Sequence, residues 1–425
     1  MRRLLVGAAL LLVLLPVTVR CEVYEAENQD ASYGVAKRVA DPTASGGVAV
    51  ECDKGVHPAP QHVFATGYYP APPGRYRGTW RLRTPDNTTT QPLITLDLTQ
   101  PGELPYLMHA VTLKGTDFAQ PNQWQDFTYE CERLEQGRVQ YRGQYLGGGD
   151  IVIDKLTVEK IGDFTEEELY ERVAKQYPLE VPADPLVVWR AARNDTLEIL
   201  ELTGVEWQEL WRTDEAAKLL APATFDAKVW THVWHQNLEP GEYFPPDYAG
   251  LFKYDAVLMT AGDGRRLQAT GRRMLRDYVK CGGGLVVLGG YSSFGKGRAS
   301  GSWLEEILPV TLGSPWDLAP VKDTALKGQQ TGVPECLLFP ANWKPQALWI
   351  QQAAPKPGSV VAWTLDGRPA VVFGKYGNGW VVAVLATNLG KSADEANLFF
   401  KTPQWPTILA NTLKWVATPG WQAWH

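Results

Sequence analysis

The sequence predicts a multidomain chain, with an antiparallel β-sandwich first and an α/β domain with a mostly parallel sheet after it. Three observations predict this. The chain has 425 residues, too long for one ordinary domain. Its first third carries short β-branched or alternating runs, broken by Pro, Gly and Asn/Asp clusters at a spacing of about ten residues, the rhythm of a sandwich. Its second half alternates apolar strand-like runs with amphipathic helical ones, which calls for parallel strands layered with helices.

The chain opens MRRLLVGAALLLVLLPVTVRC, two arginines ahead of an apolar run that Pro16 and Arg20 end. That run is too short to span a bilayer and has the shape of a secretory signal peptide over 1–21. The mature chain then starts at Glu22, exported to the periplasm or secreted. Arg20 stands where a lipoprotein signal needs a small residue, which argues against a lipid on Cys21. No later stretch is long and apolar enough to span a membrane.

The sandwich is expected over 22–160. Its strands are GVAVEC (47–52), GRYRGTWRLR (74–83), LITLDL (93–98), WQDFTYECE (124–132), RVQYRG (138–143) and IVIDKLTV (151–158). FTEEELYERVAKQYP (164–178) is a helix with a Thr165/Glu168 capping box and Leu169, Val173 and Tyr177 on one face. It and LEVPADP form a helical linker over 161–185. The α/β domain follows over 186–425. LVVW (186–189), YDAVLMT (254–260) and LVVL (285–288) are expected as buried strands. Residues 265–284 form a helix with Leu267, Met274, Leu275, Tyr278 and Val279 inward, closed by glycine. Residues 359–386 form an antiparallel meander around a Gly-Asn-Gly turn, and 405–417 a last amphipathic helix. Residues 201–250, aromatic and Pro-rich, give no assignment.

Composition removes some functions. Net charge is −6, with no Lys/Arg run of the kind that binds nucleic acid. Seventeen Trp and seventeen Tyr suit stacking on sugar rings and packing in β-rich cores alike. The five cysteines form no C-x-x-C, so zinc and redox motifs are out. Cys52 and Cys131, both in strand-like segments, are open to a disulfide or to life as free thiols. Sequons at Asn87 and Asn194 complete the short motifs.

YEAENQD…ADPTASGGVAV (24–50), PPGRYRGTWRLR and IVIDKLTVEK together resemble the β-sandwich carbohydrate-binding modules of the family 6 and 35 type. The resemblance covers about 22–160 and implies a jelly-roll-like sandwich that binds a polysaccharide or glycan. It also implies a structural calcium held by Glu25, Glu27 and Asp154. The residues agree: Glu25 and Glu27 would share one strand face, and calcium takes hard carboxylate and carbonyl oxygens. Solvated edge glutamates are the alternative. For sugar stacking, Tyr33, Trp124 and Tyr145 lie in or near loop-like stretches, with packing the competing use of each.

YDAVLMTAGDG…LRDYVKCGGGLVVLGGYSSFGKGRASGSWLEEILPV (254–310) and the late meander resemble the class I glutamine amidotransferase-like fold, closest to the group found in exported bacterial proteins. This implies a flavodoxin-like domain with a nucleophile turn. Catalytic members carry G-x-C-x-G there; LGGYSSF sets Tyr291 at the cysteine's place, within Gly289, Gly290, Ser292 and Ser293. Where the partner His-x-Glu belongs, the chain has Thr387, Asn388 and Leu389. Nucleophile and base are both missing from the matched positions. Ser292 or Ser293 with His232 or His235 is the catalytic alternative; serines capping backbone amides is the other, and the favoured one.

The expected whole is an exported carbohydrate-binding protein with a catalytically silent amidotransferase-like domain as binding or scaffold platform. Its rivals are a serine-dependent or unrecognised carbohydrate-active hydrolase and a structural cell-envelope protein.

Overall fold

The computed structural model describes residues 21–29, 36–67, 69–71, 73–100, 106–133, 137–176, 178–204, 211–229, 244–297, 299–313, 317–392 and 394–422. The expected signal segment up to Arg20, together with Tyr33, Tyr177, His232 and His235, lies outside them. The chain forms two compact units that divide between Asp163 and Phe164.

The first unit is a two-sheet antiparallel sandwich. Its strands are β1 (Cys21–Glu25), β2 (Lys37–Ala40), β3 (Val48–Cys52), β4 (Gln61–Ala65), β5 (Tyr69–Ala71), β6 (Gly74–Arg83), β7 (Pro92–Gln100), β8 (Tyr106–Lys114), β9 (Gln125–Arg133), β10 (Gly137–Tyr145) and β11 (Ile151–Gly162). One sheet runs β2-β3-β11-β6-β9 with β1 also on β11; the other runs β4-β10-β7-β8 with β5 also on β10. Strict alternation explains the layers. On β6, Tyr76, Trp80 and Leu82 face the core while Arg75, Arg77, Arg81 and Arg83 face out. Every predicted strand of this unit is present; β2, β4, β5 and β8 had no prediction, being short or at sheet edges.

Cys52 and Cys131 stay free thiols. Both belong to the first sheet, but β11 and β6 lie between their strands. Cys52 is opposite Ile151, and Cys131 faces Tyr76, which faces Lys160 nine residues further along β11. At about 3.3 Å per residue that is roughly 30 Å of separation, far beyond disulfide reach.

The second unit is built on a mixed sheet. Its strands are β12 (Glu198–Thr203), β13 (Thr224–Val229), β14 (Ala256–Thr260), β15 (Gly284–Leu288), β16 (Val310–Leu312), β17 (Leu318–Pro320), β18 (Leu326–Gly328), β19 (Trp349–Gln351), β20 (Ala353–Pro355), β21 (Val360–Leu365), β22 (Arg368–Tyr376) and β23 (Gly379–Val384). The main order is β13-β12-β14-β15-β23-β22-β21-β18, parallel as far as β23 and antiparallel beyond it. Every residue of β14 and β15 is buried, so neither face of these central strands is open, as parallel strands between helical layers require. Helices Gln268–Cys281 and Gln404–Gln422 are among those that cover the sheet; the first starts later than expected, with Met274, Leu275, Tyr278 and Val279 buried on it and Leu267 buried in the 3₁₀ turn Gly264–Leu267 just before it.

Two expectations fail here. LVVW is not a strand: Asp184 accepts a hydrogen bond from Leu186 N, Pro185 takes the first turn, and Pro185–Ala191 is a helix. Four apolar residues fit either state, and the Asp-Pro cap decides. The helix Glu166–Gln176 is no free linker. Its Thr165/Glu168 capping box forms, Glu166 pairs with Arg272 at 2.5 Å, and Leu169 and Tyr170 pack with Ala269 and Trp303. It belongs to the second unit.

Beneath this unit, Arg193 and Asp255 form a buried ion pair. Arg193 also donates to the carbonyls of Phe252 and Tyr254 and lies over the Trp189 ring. Asp255 accepts Glu198 N at 2.9 Å, which ties the start of β12 to β14. Five of the tryptophans, Trp80, Trp189, Trp211, Trp363 and Trp405, are fully buried, so packing claims them rather than ligand stacking.

Candidate functional site

On the sandwich, Glu25 ends β1, while Glu27 sits in the short 3₁₀ turn Ala26–Asn28. The two therefore do not share a strand face, contrary to expectation. They still converge on one turn. Glu25 Oε2 and Asp154 Oδ1 both contact Ser45 Oγ, the latter at 2.9 Å, and Asp154 Oδ1 also accepts Ser45 N at 2.9 Å. Glu27 lies so close under Gly46 that a Cβ there would collide with its Oε1. Asp154 reaches this point by alternation, since Ile151 and Ile153 face the core and Val152 the outer side, and a register shift between Ile153 and Lys155 leaves residue 154 unpaired with β6. Asp154 is fully buried, and its Oδ2 faces Arg81 Nε at 3.2 Å.

The aromatic candidates separate. Tyr145 is fully buried and donates its hydroxyl to Gly149 O, so it has no ring face to offer a sugar. Trp124 donates Nε1 to Thr43 Oγ1 at 2.9 Å, packs beside Val152, Ala44 and Ala49, and carries the Arg83 guanidinium 4.6 Å over its ring. Sequence alone did not single out the outer face of the second sheet. There alternation turns out His62 on β4, Gln140, Arg142 and Gln144 on β10, and Thr95 and Asp97 on β7. Arg142 clasps Asp97 bidentately at 2.8 and 2.9 Å, and Thr95 bonds Thr112 across to β8 at 2.8 Å. Burial, with the neighbouring Arg142 charge, lowers the His62 pKa and favours the neutral ring. Any one strand shows this alternation, but the pairing of Arg142 with Asp97 depends on register, which no single strand reveals.

In the second unit, β15 runs into the turn that holds Gly289 to Phe294, at the carboxyl edge of the sheet. Neither glycine is left-handed; the left-handed residues near this edge are Ala261 and Phe294, with φ of 48° and 53°. The glycines are there for space. A Cβ on Gly289 would lie 2.7 Å from Gln351 Oε1, and one on Gly290 2.7 Å from Ala261 Cβ. Gln351 Nε2 in turn donates to Gly290 O and Ser293 O at 2.8 and 2.9 Å.

Tyr291 is 42% exposed, with the Lys296 ammonium over its ring. Ser293 is buried and donates its hydroxyl to Leu288 O at 3.1 Å; it binds a carbonyl rather than capping an amide. Ser292 is half-buried. The amides of Gly295 and Lys296, which would otherwise face an anion, both donate at 2.9 Å to Asp317. Asp317 is buried, and that burial raises its pKa. Asn388 is buried, and neither its Nδ2 nor its Oδ1 has a partner. The described histidines, His57, His62 and His109, all belong to the first unit. Asp317 and Gln351 went unseen in the sequence because they lie far along the chain from the turn they serve.

A layered α/β unit with a tight turn after a central parallel strand is the scaffold that amidotransferases use, here with tyrosine at the turn. Residues 204–418, half of the chain, match the family model described as putative glutamine amidotransferase, and the chain belongs to that family. Among solved structures, it is similar to the cytoplasmic protein STM1381 of Salmonella typhimurium LT2, at 21% identity and TM-score 0.41, over 52% of this chain and 99% of that one. The cytoplasmic protein STM3548 of Salmonella typhimurium gives 19% identity and TM-score 0.42 over 52% and 99%. The C-terminal CBM6 of LamC, a marine laminarinase from Zobellia galactanivorans, gives 15% identity and TM-score 0.24 over 33% and 100%. No curated protein matches the chain. Among the described residues no helix is long and apolar enough to cross a membrane.

Proposed function

We propose that this is an exported glycan-binding protein whose amidotransferase-like unit binds or scaffolds and does no amide chemistry. The observation that carries the reading is the state of the turn. Amide hydrolysis needs a nucleophile with a base to accept its proton, and donors free to hold an oxyanion. Here Tyr291 and Asn388 stand at the matched positions, Ser293 is committed to a backbone carbonyl, and Asp317 already fills the two amides. The buried carboxamides of Asn388 and Gln351 keep spare hydrogen-bonding capacity, which suits a small polar group.

The glycan surface is the outer face of the second sheet. Sugar hydroxyls are met by planar, multidentate groups held still, and the Arg142–Asp97 pair, flanked by His62, Gln140, Gln144 and Thr95, is such a set. Calcium belongs to the same unit. Ser45 Oγ has one proton for two carboxylates, and Glu27 Oε2 is buried without a partner, so the cluster is short of positive charge. Glu25, Glu27 and Asp154 would hold the ion, with a backbone carbonyl near the Ser45–Gly47 turn, and its charge would fix the turn to β1 and β11. Export rests on the arginine-led apolar leader up to Cys21.

The test is a glycan array probed with the full chain and with Arg142→Met, alongside an assay for ammonia release from glutamine. Binding lost in Arg142→Met with no ammonia released is expected. An array without a hit, or turnover abolished in Tyr291→Phe, would sink the reading.

A further inference from the structure

The carboxylate cluster contains a side chain that calcium chemistry does not call for. Arg81 faces out from β6 and stands against Asp154 Oδ2, the oxygen that a cation would need. Three carboxylates gather at this turn, Glu25 and Asp154 on Ser45 and Glu27 under Gly46, and the one guanidinium stands against Asp154, which leaves two of the three negative charges to be balanced. That surplus equals the charge of one divalent ion. Yet among the described residues no three acid, His or Cys side chains are drawn close enough to share a metal. The donor chemistry fits, while the arrangement around Asp154 is set to a different cation.

We propose that Arg81 is the resident counter-cation of this cluster and competes with calcium for Asp154. This rests on the reading of the cluster as a calcium site. The contact is of a kind that can yield. Nε and Oδ2 are 3.2 Å apart, yet neither atom has a hydrogen bond, so the N–H is not aimed at the carboxylate. Arg81 also has somewhere to go. Its guanidinium lies 5.8 Å from the Trp124 ring, beside Arg83, which is held by Asp41 at 2.7 Å. Calcium arriving at Asp154 displaces Arg81 toward Trp124. The sandwich can thus hold this turn together without metal, at the expense of calcium affinity, and ion binding is felt at Trp124.

The experiment is calorimetric titration of the full chain with calcium chloride at neutral pH, for wild type, Arg81→Met, Arg81→Lys and Arg81→Met/Glu27→Gln, with circular dichroism to follow folding. A positive charge removed from beside a divalent ion at this range tightens binding about tenfold or more. The proposal expects that gain in Arg81→Met, near wild-type affinity in Arg81→Lys, and loss in the double variant. Tight binding by Arg81→Met alone, with none by wild type, also upholds it. Wild-type binding that is unchanged or weaker in Arg81→Met overturns the role of Arg81 and leaves the calcium site standing. Should Arg81→Met fail to fold, affinity in Arg81→Lys tenfold tighter than wild type overturns it. No binding by any variant overturns both.

Discussion

Gly289→Ala and Gly290→Ala probe why the turn after β15 carries two glycines. Neither residue is left-handed, so alanine is conformationally allowed at both. Were space available, each change would stabilise the fold by about 0.4–1 kcal/mol through the unfolded chain alone. The structure predicts the opposite sign. At Gly290 the new methyl lies 2.7 Å from Ala261 Cβ, about 1 Å inside contact, a clash worth about 1–3 kcal/mol. At Gly289 it meets Gln351 Oε1 at 2.7 Å and the carbonyls of Ala386 and Val384 at 3.0 Å. Gln351 must then move, and Gly290 O and Ser293 O lose its amide, which adds about 1–3 kcal/mol for buried acceptors left bare. Gly289→Ala is therefore the worse variant, at about 3–5 kcal/mol, or roughly 6–20 °C in Tm for a unit of this size. Scanning calorimetry of the full chain, watching the transition of the second unit, measures it. A neutral or stabilised Gly289→Ala would refute the close-approach argument.

Arg193→Met strands Asp255 in the interior and should cost about 3–5 kcal/mol at pH 7 by urea unfolding. Asp255 already has a pKa raised above 3.8, chiefly by burial, so its charge costs stability as pH rises and the cost is relieved on acidification. The deficit of Arg193→Met should shrink as pH falls, and a pH-independent deficit would count against a buried charge as its cause. Asp41 has a lowered pKa, through the Thr43 hydroxyl first, with Thr43 N and Arg83 adding to it. Its contribution is full above the unfolded value of 3.8 and lost as pH falls through the lower folded one, so Asp41→Asn should flatten the acid limb of the sandwich's melting curve. Removing calcium with chelator should lower the sandwich's Tm in wild type and leave Glu27→Ala unchanged; equal melts with and without chelator would deny a bound ion.

The sandwich was legible because its signals are local. GRYRGTWRLR alternates over ten residues, and the alternation that buries Trp80 also points Arg81 outward. What Arg81 meets was not legible, because the register of β11 against β6, and not the composition of either strand, brings Asp154 beside it. YEAE alternates like a strand through Glu27, although the chain turns after Glu25. LVVW shows the limit of short apolar runs: Asp184 and Pro185, just ahead of it, held the information. At the amidotransferase-like turn Tyr291, Ser292 and Ser293 are readable in the sequence one by one. Asp317 and Gln351, which occupy the turn's amides and carbonyls, return from later in the chain, and nothing near residue 289 announces them.

The docked helix Glu166–Gln176 bears on how this chain can be taken apart. Its first turn pairs with Arg272, its Tyr170 ring lies under Arg273, and its Leu169 closes over Ala269 and Trp303. A fragment begun at Leu186, where a strand-led domain would start, would shed that helix and the Asp184 cap together. It would bare an aromatic face and take Glu166 and Glu167 away from Arg272 and Arg273, the recipe for a fragment that precipitates. A cut just after Asp163 keeps the helix with its partners, and limited proteolysis should nick there before it nicks anywhere in 166–176.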